Sequence, residues 1–443
     1  MLAPSIALFF LAILLFIYSG FIKSGSLDVI SHYALVNEIM THWYVSPDAL
    51  YLSVMRFYPD LSHWLAAILG AVSGDGLWAM SLLSIAAVYY CYYAIGKILG
   101  DSLTAVAIFA GLFFLLAPTA SQIGWEVVVN FFYPQIVASA AYFAALLWCV
   151  AKQPFPKQVA AVAIFLIPVM FFTQPIVGLH ASAMLFGTVA VDMLPKRKAE
   201  NFLYLGAIGL ISLISLYPIR IILVIAANDG DLNFDFGMPL AVPVVACGAI
   251  SLTNLIFPLC RKDMVLGAAG TLSALLMAFQ WVLWEALGTG SFYAVKKHAF
   301  IVMALGLTNL TRLLSRRLPT FRSTFAAMLL AVFATITIYR QHDWGETSIG
   351  KVAEYRTFAN RFIETPSFQP GNTKAFLLSE TPTINRMISS VFFRGSIDEP
   401  YEGKNPVAPY LMVETRKNAP CAVLSDDKLT IVASPCVSPP GPR

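Results

Sequence analysis

Three groups of residues in this 443-residue chain have the types and spacing that chemistry asks for. The first is Asp28 with His32 four positions later. A carboxylate can act as general base and take a proton from a hydroxyl. On a helix, an i,i+4 partner shares its face, so His32 could orient that carboxylate or the group it deprotonates. Asp28 could equally cap a helix beginning at Val29, and His32 could be a plain hydrogen-bonding histidine. The second is Glu126, in Gly124-Trp125-Glu126 ahead of Asn130-Phe131-Phe132-Tyr133-Pro134. It could share an acceptor with Asp28, help hold a divalent metal, or be a solvated loop acid. The third is the run from Gly288 to His298, which carries Tyr293, Lys296, Lys297 and His298. Paired lysines at a membrane edge fit a phosphate ligand and could neutralise a phosphate leaving group. The alternative is ordinary snorkelling of long side chains. Arg220 adds a third cation, about two turns inside an apolar stretch. An arginine at that depth wants a partner, a lipid phosphate or a carboxylate, unless it too snorkels.

The elements that must hold these residues are membrane helices. The chain is 58% hydrophobic and 12% charged, with a mean hydropathy of +0.72. Apolar runs of about eighteen residues or more recur along it, which is the mark of transmembrane helices. About eleven are expected, near 3–22, 77–98, 102–120, 133–150, 158–173, 176–192, 201–226, 238–258, 264–287, 299–315 and 322–339. The weakest division lies between the fifth and sixth, where Thr173-Gln174-Pro175 could be a kink. The first run lacks a basic leader and a small-residue cleavage site, so it reads as a retained span. With the N-terminus inside, the short cytoplasmic loops hold twelve Lys and Arg and the opposite short loops only four, namely Lys23, Arg56, Lys296 and Lys297. This sorting is what the positive-inside bias requires. It places Asp28, Glu126 and the Lys296–Lys297 run outside. The loop 23–76 holds five carboxylates and three of the six histidines. Within it, His63 to Val72 is too short to span, so it and 28–40 are expected to lie as amphipathic helices at the interface. The net charge of +4 is too small to suggest a nucleic-acid partner.

Composition changes after Arg340. The remainder is polar and proline-rich, with a helical pattern at 351–364 and β-like runs at 375–378, 410–413, 422–424 and 429–433. The expected fold is therefore an all-α polytopic membrane domain over 1–339, with a small α+β extracytoplasmic domain over 340–443. Cys421 and Cys436 bracket a hairpin signal around Asp426-Asp427-Lys428, and outside the cytosol they could form a disulfide or remain two free thiols. The other four cysteines lie in or beside apolar runs without metal-ligand spacing. Asn309-Leu310-Thr311 matches a glycosylation pattern but falls in an expected span.

Together these features resemble the GT-C superfamily of polytopic, polyprenyl-phosphate-sugar-dependent glycosyltransferases, including arabinosyltransferase-like and mannosyltransferase-like branches. Asp28 matches the acidic residue that follows the first span in that family, and Glu126 its further carboxylate in the second outer loop. Phe57-Tyr58-Pro59-Asp60-Leu61-Ser62-His63-Trp64-Leu65 is similar to its proline-led aromatic helix. Tyr293 with Lys296 or Lys297 looks like its late outer loop. Where many members carry paired acids, Val29 follows Asp28 here. The resemblance implies an inverting transfer of sugar from a polyprenyl-phosphate-linked donor to a glycan or lipid acceptor, at the outer face of the plasma or inner membrane. It leaves open a divalent cation and implies no other cofactor. The competing readings are a transporter or flippase for a lipid-linked glycan, a surface-polysaccharide polymerase or ligase, and a membrane scaffold. A transporter would hold ionisable groups near the bilayer midplane, where this sequence looks almost bare.

Overall fold

The computed structural model describes residues 3–5, 7–8, 27–45, 50–100, 102–116, 133–196, 199–217, 238–288, 292–317, 325, 332, 376–378, 410–412, 421–425 and 430–434. They are mostly helical. In chain order the helices are α1 (Leu27–His42), α2 (Leu61–Ser73), α3 (Gly76–Ile98), α4 (Leu103–Leu116), α5 (Tyr133–Lys152), α6 (Pro156–Thr173), α7 (Pro175–Lys196), α8 (Ala199–Leu216), α9 (Met238–Ile256), α10 (Arg261–Leu287) and α11 (Phe292–Arg317). A 3-10 helix, Leu50–Phe57, precedes α2. Six of these helices are long and apolar enough to cross a membrane: Trp78–Ile98, Tyr133–Lys152, Pro156–Thr173, Pro175–Met193, Arg261–Leu287 and Tyr293–Arg316. Shorter apolar stretches lie at Leu61–Ser73, Leu103–Phe113, Glu200–Leu216 and Val244–Ile256 among the described residues. The expected spans near 102–120, 201–226 and 238–258 are described in part, by α4, α8 and α9. Nearly all of the spans at 322–339 and 3–22 lies outside the described residues.

The chain divides into two compact units, one of Met1–Tyr18, Phe57–Ser62 and Leu83–Trp344, the other of Ser19–Arg56, His63–Leu82 and Gly345–Arg443. In the first, α10 packs against α7, α9 and α11. Helix α11 is its centre: 78% of its most apolar stretch is buried, against 39% for α6. Close approach depends on small residues. A Cβ on Gly267 of α10 would stand 2.5 Å from the Leu255 backbone nitrogen of α9. Asn309 of α11, fully buried, donates to the Leu266 carbonyl of α10 (3.1 Å) and accepts from the Asn254 side chain of α9 (2.9 Å). Such interhelical amide bonds hold apolar helices together where lipid gives no hydrophobic drive. Burial also removes Asn309 as a glycan acceptor.

Thr173-Gln174-Pro175 is a reversal, not a kink within one helix. Proline cannot continue the hydrogen-bond ladder, and Gln174 turns extended (φ −157°, ψ 110°). Its side chain then accepts from the Ile176 N–H (2.8 Å), starting α7. Helices α6 and α7 pack together, with Gly178 so near Phe171 that a Cβ would lie 2.9 Å from the ring.

One end of this unit is a lattice of charge. Arg261 grips Asp192 with two bonds of 2.7 Å and reaches the Pro154 carbonyl. Asp263 accepts from Arg312 (2.9 Å) and from Arg316, and Arg312 also donates to the Ile98 carbonyl (2.8 Å). The ends of α3, α5, α7 and α11 and the start of α10 therefore meet in one place. These are the loops whose Lys and Arg content assigned them to a common side.

In the second unit, α1 lies close along α2 and the start of α3. Cβ atoms on Gly70 and Gly76 would stand 2.7 and 2.9 Å from Met40 Sδ. Four strands, β1 (Phe376–Leu378), β2 (Tyr410–Met412), β3 (Cys421–Ser425) and β4 (Thr430–Ser434), form a sheet in the order β2-β1-β3-β4. β1 runs parallel to β3 and antiparallel to β2, while β3 and β4 form a hairpin. Its register sets Cys421 opposite Ser434, two positions short of Cys436, which lies outside the described residues along with 351–364.

Candidate functional site

Each unit holds its own group of the residues that the sequence singles out. In the second unit, α1 begins at Leu27, so Asp28 stands within its first turn and does not precede it as a cap. His32, one turn on, is buried, and its Nδ1 lies 2.9 Å from Nε2 of His63 on α2. The ring centroids are 5.0 Å apart. His63 is fully buried, and that burial pushes its pKa down to about 3, so its ring is neutral at physiological pH. The pair ties α1 to α2. Farther along α1, Glu38 is buried, with His42 Nε2 3.7 Å away. The packed face of α1 claims it. Asp75 does cap: its Oδ1 accepts from the Trp78 N–H at 2.8 Å.

In the first unit, the stretch expected to be an outer loop up to His298 is already helix from Phe292. Tyr293, Lys296, Lys297 and His298 consequently occupy the first two turns of α11. The i,i+4 spacing brings Lys297 over Tyr293, with Nζ 4.3 Å from the ring centroid, a cation–π contact. Lys296, Lys297 and His298 are all buried, at 7%, 7% and 3% exposure.

His298 Nδ1 lies 2.9 Å from Nε2 of His180 on α7, with the rings nearly perpendicular (64°). The depth of this pair follows from register. His180 is twelve residues before Asp192 and His298 fourteen before Arg312. At a rise of about 1.5 Å per residue, the pair sits about 18–21 Å from the charge lattice, inside an apolar slab about 30 Å thick. The Tyr142 hydroxyl of α5 is buried too; packing of Gly187 on Ala268 sets Ser273 of α10 level with residues near His180. The interior at this depth is therefore not bare.

Glu126 and Arg220 lie outside the described residues, so neither is placed against these groups. Among the described residues no three His, Cys, Asp or Glu side chains gather as a metal site. His63 and His180 are the partners sequence reasoning missed. A histidine inside the apolar run of α7 was the available signal for His180, because an ionisable group within a span invites a named partner. For His63 no comparable signal existed. No protein-family model matches the chain, and no curated protein matches it either.

Proposed function

We propose that the chain is a membrane glycosyltransferase that moves a sugar from a polyprenyl-phosphate donor to a glycan or lipid acceptor, with inversion. The observation that carries this reading is the cation turn of α11: Lys296 and Lys297 buried beside His298, with Tyr293 under one ammonium. Such a group can bind the donor phosphate and stabilise it as it leaves. Asp28 takes the proton of an acceptor hydroxyl. The freed oxygen attacks the anomeric carbon, the bond from that carbon to the phosphate oxygen breaks, and the lipid phosphate departs with the electron pair. Glu126 orients the acceptor or shares a divalent cation with Asp28, and Arg220 adds to the cationic side. The lattice end faces the cytoplasm, where its basic loops belong, and the site faces outward.

The test is transfer in isolated membranes supplied with a panel of polyprenyl-phosphate sugars. Asp28→Asn should lower the rate by about 10²–10⁴-fold, the usual contribution of a general base. Full activity in that variant removes Asp28 from the mechanism.

A second reading, a proton-linked flippase or transporter of a lipid-linked glycan, is favoured by one observation. The His180–His298 pair is an ionisable group deep in the bundle, as transport sites often are. A fluorescent lipid-linked glycan that crosses the bilayer of reconstituted vesicles, with no sugar transferred, would decide for it.

A further inference from the structure

Three buried polar atoms where α5, α7, α10 and α11 come together have no hydrogen-bond partner among the described residues. They are His180 Nδ1, the Tyr142 hydroxyl and the Ser273 hydroxyl. All three residues are fully buried. Native interiors rarely keep such atoms without a reason, and each is unusual for its type. A buried tyrosine normally finds a partner for its O–H. Buried hydroxyls on the neighbouring helices close onto the carbonyl four residues back. Ser182 and Thr188 of α7 do so at 2.9 Å, and Ser251 of α9 and Thr308 of α11 at 2.8 Å. Ser273 makes no such bond. His180 uses only its Nε2, which meets His298 Nδ1 at 2.9 Å.

Helix geometry brings the three to one place. Helices α7 and α10 run antiparallel, since Asp192 meets Arg261 and Gly187 meets Ala268. His180 precedes Gly187 by about two turns, so it keeps the α10-facing side of α7 and comes level with Ser273 to within a turn. Around α10, Arg261, Ala268 and Leu272 mark the side of α7, and Asp263 and Gly270 the side of α11. At about 100° per residue, Ser273 falls between those two sides, where the His180–His298 bridge crosses from one helix to the other. Helix α5 packs on both α7 and α10. From it the Tyr142 hydroxyl faces Ser273, yet the two oxygens do not meet in hydrogen-bond geometry.

One small neutral ligand meets all three needs. Two hydroxyls and an imidazole nitrogen can donate or accept, and none brings a fixed charge, so an ion would lack a counter-charge there. A water molecule both donates and accepts, and a buried one typically makes about three bonds to polar groups that would otherwise go without. We infer that His180 Nδ1, the Tyr142 hydroxyl and the Ser273 hydroxyl together bind one internal water molecule. The water joins α5 and α10 to the histidine bridge between α7 and α11, so a single polar layer runs through four helices. The site stands apart from whatever binds at Lys296 and Lys297.

The experiment is X-ray hydroxyl-radical footprinting of the purified full chain in lipid nanodiscs, read by mass spectrometry. Radiolysis splits water where it stands, so a bound internal water oxidises the side chains it touches even where bulk solvent has no access. With intrinsic reactivity divided out, Tyr142 and His180 should label several-fold faster than Phe171, which is equally buried but packs against Gly178. Ser273→Val puts methyl groups in the place of the water and should bring both residues down to the rate of Phe171. Ser273→Ala removes one of the three partners and should lower both rates part of the way, and thermal melts check that the variants fold. Wild-type labelling of Tyr142 and His180 no faster than Phe171 means a dry junction and overturns the inference. Labelling of either residue that ignores both substitutions overturns it too, because the water is then not shared with Ser273. Should Ser273→Val fail to fold, Ser273→Ala and Tyr142→Phe decide: labelling of His180 falls in each, or the shared site is wrong.

Discussion

Four of the six histidines form two pairs of the same kind, each Nδ1 to Nε2 at 2.9 Å and each joining helices distant in sequence. Their consequences differ with position. His63 belongs to a helix too short to span, and its pKa near 3 lies below the ordinary 6.5. A group whose folded-state pKa is depressed in this way, and which is neutral when folded, binds fewer protons folded than unfolded. Its contribution is complete above about pH 6.5 and lost as pH falls toward 3. The wild type should therefore lose stability steadily as pH falls through that window. His63→Gln should flatten the acid side of a plot of Tm against pH, measured in micelles; an unchanged slope would show that His63 does not govern it. On α11, Tyr293→Leu should weaken binding of a short-chain alkyl phosphodiester of a sugar, read by isothermal titration, about twofold to thirtyfold by releasing Lys297, whereas Tyr293→Phe keeps a ring face and should change it little. The resemblance paired Tyr293 with Lys296 or Lys297 without choosing between them. The choice between them needed the helix start at Phe292, because only then do Tyr293 and Lys297 fall one turn apart. Contacts such as His32 with His63, 31 positions away, leave no periodic trace and were not legible.

Helices were legible wherever an apolar run was long and its ends were marked. Gly288, left-handed at φ 59°, ends α10, and its N–H donates to the Leu283 and Trp284 carbonyls. Pro156 begins α6, with Gln158 accepting from the Phe155 N–H at 2.9 Å. Pro175 opens α7, and the doubtful division at Gln174 resolves into two helices because a single residue there meets the needs of both ends. The start of α11 was missed since Lys296, Lys297 and His298 read as loop by polarity, while their backbone is helical and their side chains are packed. Packing between these elements rests on absent side chains. Gly267→Ala places a methyl against the backbone of α9, and Gly306→Ala places one against the Cys247 side chain and backbone. Each should cost about 1–3 kcal/mol or more, read as a lower Tm and a lower yield of monodisperse protein. Gly206→Ala on α8, where a Cβ meets nothing within 4 Å, should be tolerated.

For the molecule as a whole, the asymmetry of Lys and Arg in the loops carried more information than any motif, and the lattice realises it as one connected cluster. Asp263 is 3% exposed and faces two arginines. Asp263→Ala should destabilise the first unit by about 3–5 kcal/mol, since Arg312 would be left buried beside no counter-charge. Arg261 and Asp192 are more exposed, and Asp192→Ala should cost less in the same melt. Cys260 is exposed, whereas Cys91, Cys149 and Cys247 are buried, and it lies at this end. A membrane-impermeant maleimide should label it in inside-out vesicles and not in right-side-out ones; the opposite pattern reverses the proposed orientation. The lattice also imposes a schedule. Ile98 and Arg312, joined by one bond, are 214 positions apart. At a synthesis rate of about 5–20 residues per second, the Ile98 carbonyl waits roughly ten to forty seconds for its donor. Until then it must stay at the wet surface of the bilayer, so the first-made helices are held loosely in place and the bundle locks only when its central helix, nearly the last to be made, arrives.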